Sequence, residues 1–182
     1  WLAEGSDNSS ILNNTITNAP YNGIWVGIGF TSNSNWPTIS GNIINSCEEG
    51  GIVLWNNASP AVTNAIITNN EVTGANGGSD DHGGISIYDG QYVNLLISGN
   101  NSSNNGGDQP GLSFINNTLT SATIRNNTFS INPGAGIKLY TVTRGLVSIT
   151  DNAIFGNAAG ASMSAGTTSV LDASANWWGS TD

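Results

Sequence analysis

At 182 residues the chain is about one domain long, and only 8% of it is charged, against roughly 25% in ordinary domains. Twelve Asp and Glu against Arg125, Lys138 and Arg144 give a net charge of −9. Without a basic patch to release counterions from phosphates, nucleic acid and anionic membrane surfaces are excluded as partners, while cations and neutral glycans stay compatible.

In chain order, one phrase recurs. Ile11 stands three residues before Asn14 and Ile16 two after it, followed by Gly23-Ile24-Trp25-Val26. The second unit repeats this with Ile39, Asn42 and Ile44, then Glu48 and Glu49, then Gly51-Ile52-Val53-Leu54. The third carries Ile67, Asn70 and Val72, the loop Asp80-Asp81-His82, and Gly84-Ile85-Ser86-Ile87. The fourth has Ile97 and Asn100 but Ser102 in place of an apolar residue, then Asp108 and Gly111-Leu112-Ser113-Phe114. The fifth has Ile124, Asn127, Phe129 and Gly136-Ile137-Lys138-Leu139. The sixth has Ile149, Asn152 and Ile154, with Met163 as the nearest apolar residue afterwards, and the last anchor is Asn176 between Ala173 and Trp178.

The anchoring asparagines are spaced 28, 28, 30, 27, 25 and 24 residues apart, the period of a repeat architecture. Gly, Asn, Thr and Ser punctuate every window that would otherwise carry a helical period, so each unit reads as three short strands joined by turns. One unit cannot bury its apolar face alone, but a stack can. The expected fold is all-β. It is a single domain over residues 1–182, a β-solenoid of about six three-strand coils with inward Ile, Leu, Val and Phe.

Cys47 is the only cysteine, which rules out a disulfide framework and a thiolate cluster and reads as inert burial. No apolar run approaches the roughly 18 residues of a membrane span, so membrane insertion is not expected. Trp1 does not begin a signal peptide, and the chain is read as a segment of a longer surface protein or as a fibre subunit.

The repeated Ile-x-x-Asn and Gly-Ile-x-Leu phrases resemble the right-handed parallel β-helix of the pectin-lyase-like superfamily, in its secreted and cell-surface repeat form. The resemblance implies that Gly-Ile-x-Leu is the first strand, Ile-x-x-Asn the second, and the residues after Asn the third. It implies a ladder of Asn14, Asn42, Asn70, Asn100, Asn127, Asn152 and Asn176, itself in a left-handed backbone position at the bend between second and third strands. The loop from each third strand to the next first strand would overhang the first-strand sheet, where this superfamily builds its binding grooves. The C-terminal Asp172-Ala-Ser-Ala-Asn176-Trp177-Trp178-Gly179 is similar to a segment near the end of β-helix regions in bacterial surface proteins.

On that arrangement two outward rows matter. One is Trp25, Val53, Ser86, Ser113 and Lys138; the other is Gly27, Trp55, Tyr88, Ile115 and Tyr140. Coils stack about 4.8 Å apart, so such residues form continuous rows. Trp25, Trp55, Tyr88 and Tyr140 are candidates for stacking on sugar rings, or for packing under loops. The acids Glu48, Glu49, Asp80, Asp81 and Asp108 are candidates for a calcium site, for a carboxylate pair, or for plain loop solubility.

If the chain is an enzyme, Asp80, Asp81, His82 and Lys138 would be its catalytic groups. Asp81-His82-Gly83-Gly84 and Gly136-Ile137-Lys138 are similar to polygalacturonase elements, but in that family those elements sit on separate coils and carry an arginine absent here. Pectate lyases use an arginine beside calcium-binding acids, whereas Arg125 is placed facing away from the groove and Arg144 in a turn. Asn-x-Ser/Thr sequons begin at Asn8, Asn13, Asn57, Asn100, Asn101, Asn116 and Asn126. Trp177 and Trp178 are expected to plug the last coil.

The expectation is a non-catalytic extracellular or cell-surface module, structural or adhesive, that requires no cofactor. It would contact a polysaccharide or glycan, or assemble end to end. A polysaccharide lyase, hydrolase or epimerase is the alternative.

Overall fold

The computed structural model describes residues 8–28, 37–56, 61–78, 82–164 and 171–179. The chain runs through β1 (Ser10–Leu12), β2 (Thr15–Thr17) and β3 (Ile24–Ile28), then repeats the circuit as β4 (Thr38–Ser40), β5 (Ile43–Cys47) and β6 (Ile52–Asn56). The third circuit gains a short entry strand: β7 (Val62–Thr63), β8 (Ile66–Thr68), β9 (Glu71–Ala75) and β10 (Ile85–Tyr88). The fourth does the same with β11 (Gln91–Val93), β12 (Leu95–Ser98), β13 (Asn101–Ser103) and β14 (Leu112–Ile115). In the last two circuits entry strand and second strand fuse: β15 (Thr118–Arg125), β16 (Thr128–Ser130) and β17 (Ala135–Tyr140), then β18 (Thr143–Thr150), β19 (Ala153–Phe155) and β20 (Ala159–Met163).

Three parallel sheets result. The first is β3-β6-β10-β14-β17-β20 and the third β2-β5-β9-β13-β16-β19. The second stacks β1-β4-β8-β12-β15, with β11 and β7 continuing beside the first half of β15 and β18 pairing along it. The expected three strands per coil thus become four where the second strand is broken. Asn64 and Asn94 break it by adopting φ of 62° and 56°. Ser121 and Leu146 take the equivalent place in β15 and β18 with ordinary backbone, so those strands run through.

Register follows the sequence phrase residue by residue. Ile24, Ile52, Ile85, Leu112, Ile137 and Ala161 stack in the first sheet. Ile11, Ile39, Ile67, Ile97, Ile124 and Ile149 stack in the second. Ile16, Ile44, Val72, Ser102, Phe129 and Ile154 stack in the third. Apart from the exposed Ala161 and the polar Ser102, they form one hydrophobic core, with Ile11 and Ile16 partly buried against it. Side chains alternate in and out with period two, so any slip would turn the isoleucines to solvent.

The asparagine ladder is present, but its backbone is not as expected. The left-handed residue is the one before each ladder asparagine: Asn13, Gly41, Asn69, Gly99, Asn126, Asp151 and Ala175. The ladder residue itself turns its amide inward. Asn100 Oδ1 accepts from the N–H (3.0 Å) and Nδ2 (2.9 Å) of Asn70, while Asn100 Nδ2 donates to Asn127 Oδ1 and to the carbonyl of Ile67, each at 2.9 Å. Oxygen and both amide hydrogens are thereby used, which is what a buried amide requires.

A second ladder lies at the next bend. Asn105 donates from N–H (3.1 Å) and Nδ2 (2.8 Å) to Asn132 Oδ1, and Asn132 donates likewise to Asn157 Oδ1, both at 2.9 Å. It satisfies Ser102, the polar break in the third-sheet row of the core. Ser102 donates to the Gly111 carbonyl at 2.7 Å and accepts from Asn105 Nδ2 at 3.1 Å.

Candidate functional site

The first sheet brings the two predicted outward rows into register. Trp25 lies beside Val53, then Ser86, Ser113 and Lys138; Gly27 lies beside Trp55, then Tyr88, Ile115 and Tyr140. The middle of this face is not the open groove the sequence suggests. Val53, Ser86 and Ser113 are fully buried and Ile115 nearly so. The reason is the pair of overhanging loops. Gly83 N–H donates to Ser86 Oγ, Ser86 and Ser113 hydroxyls bond each other, both at 2.8 Å, and His82 and Pro110 are buried over them. Gly50 and Gly83 have no room for a Cβ, which would meet His82 and Val53 at the first and Pro110 at the second, so the loops lie close on the sheet.

What stays partly open is aromatic. Trp25 and Trp55 meet edge to face with centroids 5.4 Å apart, His82 touches Trp25 (6.0 Å) and Tyr88 (5.6 Å), and all four rings form one cluster. Gly27 makes this possible, since a Cβ there would stand 2.7 Å from Trp25 Nε1. Trp55 Nε1 donates to Asp89 Oδ2 at 2.9 Å, which fixes its indole. Farther along, Tyr140 is 48% exposed and Lys138 Nζ lies 5.9 Å from its ring centroid. Beneath the face the Tyr92 hydroxyl lies 3.2 Å and 3.0 Å from the Leu54 and Tyr88 carbonyls, and burial pushes its pKa well above the ordinary phenol value.

The acids distribute differently. Glu49 accepts from Asn22 Nδ2 at 2.7 Å, and Asn22 Oδ1 accepts from Gly50 N–H, so this carboxylate braces the loop between β5 and β6. Glu48 and Asp108 are exposed. Asp80 and Asp81 lie outside the described residues. Among the described residues no group of three or more His, Cys, Asp or Glu is placed to hold a metal ion.

The arginines also differ from expectation in one case. Arg125 is exposed on the second sheet, as placed. Arg144 is not in a turn: it sits on β18 opposite Leu119, at the end of the row Val62, Tyr92, Leu119, and is buried. Burial holds its pKa below the ordinary guanidinium value. The sequence does carry the signal, because these four residues each stand five before Ile67, Ile97, Ile124 and Ile149. Burial likewise raises the pKa of the Cys47 thiol, in keeping with an inert cysteine.

One further feature was not anticipated. A groove of about 500 Å³ on the second sheet is lined by Asn94, Leu96, Ser121, Thr123, Leu146 and Val147 among others. Asn94 bonds Asn64 (3.1 Å) and Ser121 (2.8 Å and 2.9 Å) along it, and Leu146 is 83% exposed at one end. The sequons at Asn13, Asn116 and Asn126 consist of a left-handed Asn, a following Asn, and a strand-opening Thr, which accounts for them by backbone geometry. Asn100 is buried within the ladder. Trp177 packs on Phe155 with ring centroids 4.9 Å apart, and Trp178 lies against Gly160.

The chain matches the family described as "Right handed beta helix region" over residues 2–175. No curated protein and no solved structure matches it.

Proposed function

The chain belongs to the right-handed β-helix family, and from that premise we propose that it is a non-catalytic extracellular or cell-surface module whose first sheet contacts glycans. The observation that carries this reading is the contrast along that sheet. Its centre is closed where the loops carrying His82 and Pro110 lie over Ser86 and Ser113, whereas Trp25, Trp55, Tyr88 and Tyr140 keep partly open aromatic surface beside Lys138. Rings at that spacing cover the apolar CH faces of a sugar chain and leave its hydroxyls to Asp89, Lys138 and solvent. Glycosidic cleavage asks for two carboxyl groups flanking one bond, roughly 5–10 Å apart. Neutral hydroxyls bonded to each other occupy the middle of this face instead. The continuous hydrogen-bonded ladders support the structural half of the reading, since they hold the surface rigid without substrate.

The test is a panel of neutral and uronate polysaccharides scored in one sample for retention and for new reducing ends or unsaturated products. Retention without product, weakened roughly three- to tenfold by Tyr140→Ala, is expected. Product release abolished by Lys138→Ala would make the chain a polysaccharide-active enzyme and overturn the reading.

A further inference from the structure

The outer face of the second sheet differs in chemistry from its surroundings. Its eight strands contain no Asp or Glu, while Glu48, Glu49, Asp89 and Asp108 stand beside the first sheet and Glu71 on the third. Of its two arginines, Arg144 is buried and Arg125 stands exposed at the margin. Side chains that could bond water bond each other along the axis instead. Asn94 Nδ2 donates to Asn64 Oδ1 (3.1 Å) and Asn94 Oδ1 accepts from Ser121 Oγ (2.9 Å). Gln91 Nε2 donates to Thr120 Oγ1 (2.9 Å), and Thr68 Oγ1 to Ser40 Oγ (3.1 Å). Polar groups that keep their hydrogen bonds cost little to bury, so this face can be covered by a surface that offers it none.

Its relief is also self-complementary. The groove is lined wholly by the fourth to sixth circuits, each reached from the first sheet by a short turn at residues 89–90, 116–117 or 141–142. Asn94, Ser121 and Leu146 stack in successive coils along it, and Leu146 stands 83% exposed at its end. A two-fold axis parallel to the strands and passing over Ser121 keeps each position along the strands and reverses the order of the coils. It sets Leu146 of each copy over Asn94 and Leu96 of the other. An exposed leucine is ordinary by itself; here the symmetry gives it an apolar seat.

We propose that this face is where two copies of the chain meet, second sheet to second sheet, with Leu146 of each in the groove of the other. From the third circuit to the sixth the face is about eight residues by four coils, roughly 26 Å by 19 Å. That is about 500 Å² per copy and about 1,000 Å² for the pair, the lower limit of a specific interface, so the dimer dissociates in the micromolar range. A net charge of −9 makes copies repel, and on this face they meet without opposing carboxylates. The interface is isologous and closes at two copies. It leaves the first sheet free, so it holds or fails independently of glycan contact.

Sedimentation equilibrium of the full chain over a concentration series tests it. A monomer–dimer equilibrium is expected, tightening as salt screens the repulsion between acidic copies. Leu146→Glu and Leu96→Lys, each alone, should weaken dimerisation roughly tenfold or more by placing a charge in the apolar contact. Mixed in equal amounts, the two variants should recover heterodimers, because the two-fold brings the carboxylate of one over the ammonium of the other. Both positions face outward, so circular dichroism in dilute samples should match the parent's. Ile43→Lys, on the outer face of the third sheet, should dimerise as the parent does. Monomers at every concentration, including monomers whose Leu146 is shielded by an added oligosaccharide, would overturn the proposal. So would growth beyond two copies, undiminished dimerisation in Leu146→Glu, no recovery on mixing, or loss of dimerisation in Ile43→Lys.

Discussion

The bends before and after the third sheet use the same backbone device and fill it with different chemistry. Before the sheet, the left-handed residue is followed by asparagine in all seven places from Asn14 to Asn176. After it, Asn18, Ser46, Gly74, Asn104, Ile131 and Gly156 are left-handed, and the residues that follow are Ala19, Cys47, Ala75, Asn105, Asn132 and Asn157. The left-handed residue thus makes the corner, and the amide ladder is an addition to it. At the second corner the ladder begins in the coil where Ser102 enters the core, and Asn105 serves that hydroxyl. Small apolar residues suffice where the core is wholly aliphatic; a polar column appears as a unit where one buried hydroxyl needs partners.

The strongest way to break this comparison is Asn100→Ala. It leaves Asn70 N–H and Nδ2 and the Ile67 carbonyl without their partners in a buried place. At about 1–3 kcal/mol for each orphaned group, discounted for relaxation, the loss should be about 3–5 kcal/mol by denaturant titration. A loss under about 1 kcal/mol would show the ladder to be incidental.

Next, Asn132→Ala should cost about 2–4 kcal/mol, since Asn105 and the Ser102 carbonyl lose partners but the neighbouring step to Asn157 is only part-buried. Cys47→Ala at the same corner should cost about 1–2 kcal/mol, chiefly a packing loss, since its sulfur meets only the backbone of Ala19 and Gly23. Equal effects would contradict the distinction between polar and apolar corners. Ile131 is β-branched, 60% exposed and held at φ 56°; Ile131→Asn should therefore stabilise by about 1 kcal/mol, read as a raised melting temperature.

The smallest expected effect is at Asp172. Its carboxyl is held below the ordinary carboxylate value by the Ser174 hydroxyl and N–H. A depressed folded-state pKa gives stability that is present above the unfolded value and lost as pH falls through the folded one. Asp172→Asn should thus lower the melting temperature slightly at neutral pH, and the gap to the parent should shrink on acidification. A gap that widens in acid would reverse the assignment.

The inward rows were legible because the same spacing recurs in every unit, so that Ile39, Asn42, Ile44, Ile52 and Leu54 could be placed from repetition alone. The left-handed position was displaced by one residue because Asn13, Asn69 and Asn126 precede asparagines, and both residue types suit either role. Closure of the first sheet over Ser86 and Ser113 was not legible. It depends on how two loops of unequal length lie, and only their glycines, Gly50 and Gly83, hint at close approach. The groove beside Leu146 was missed for a related reason: the row Asn64, Asn94, Ser121, Leu146 changes residue type at each step, so no repeated phrase marks it.

The proposed contact surface is the pair of aromatic rows on the first sheet. Hydroxyl-radical footprinting with and without a retained oligosaccharide tests it most directly. Protection of Trp55, Tyr88 and Tyr140, with Trp177, Trp178 and Leu146 unchanged, is the predicted result. Protection confined to Leu146 and its groove, with the three aromatic residues unchanged, would contradict it.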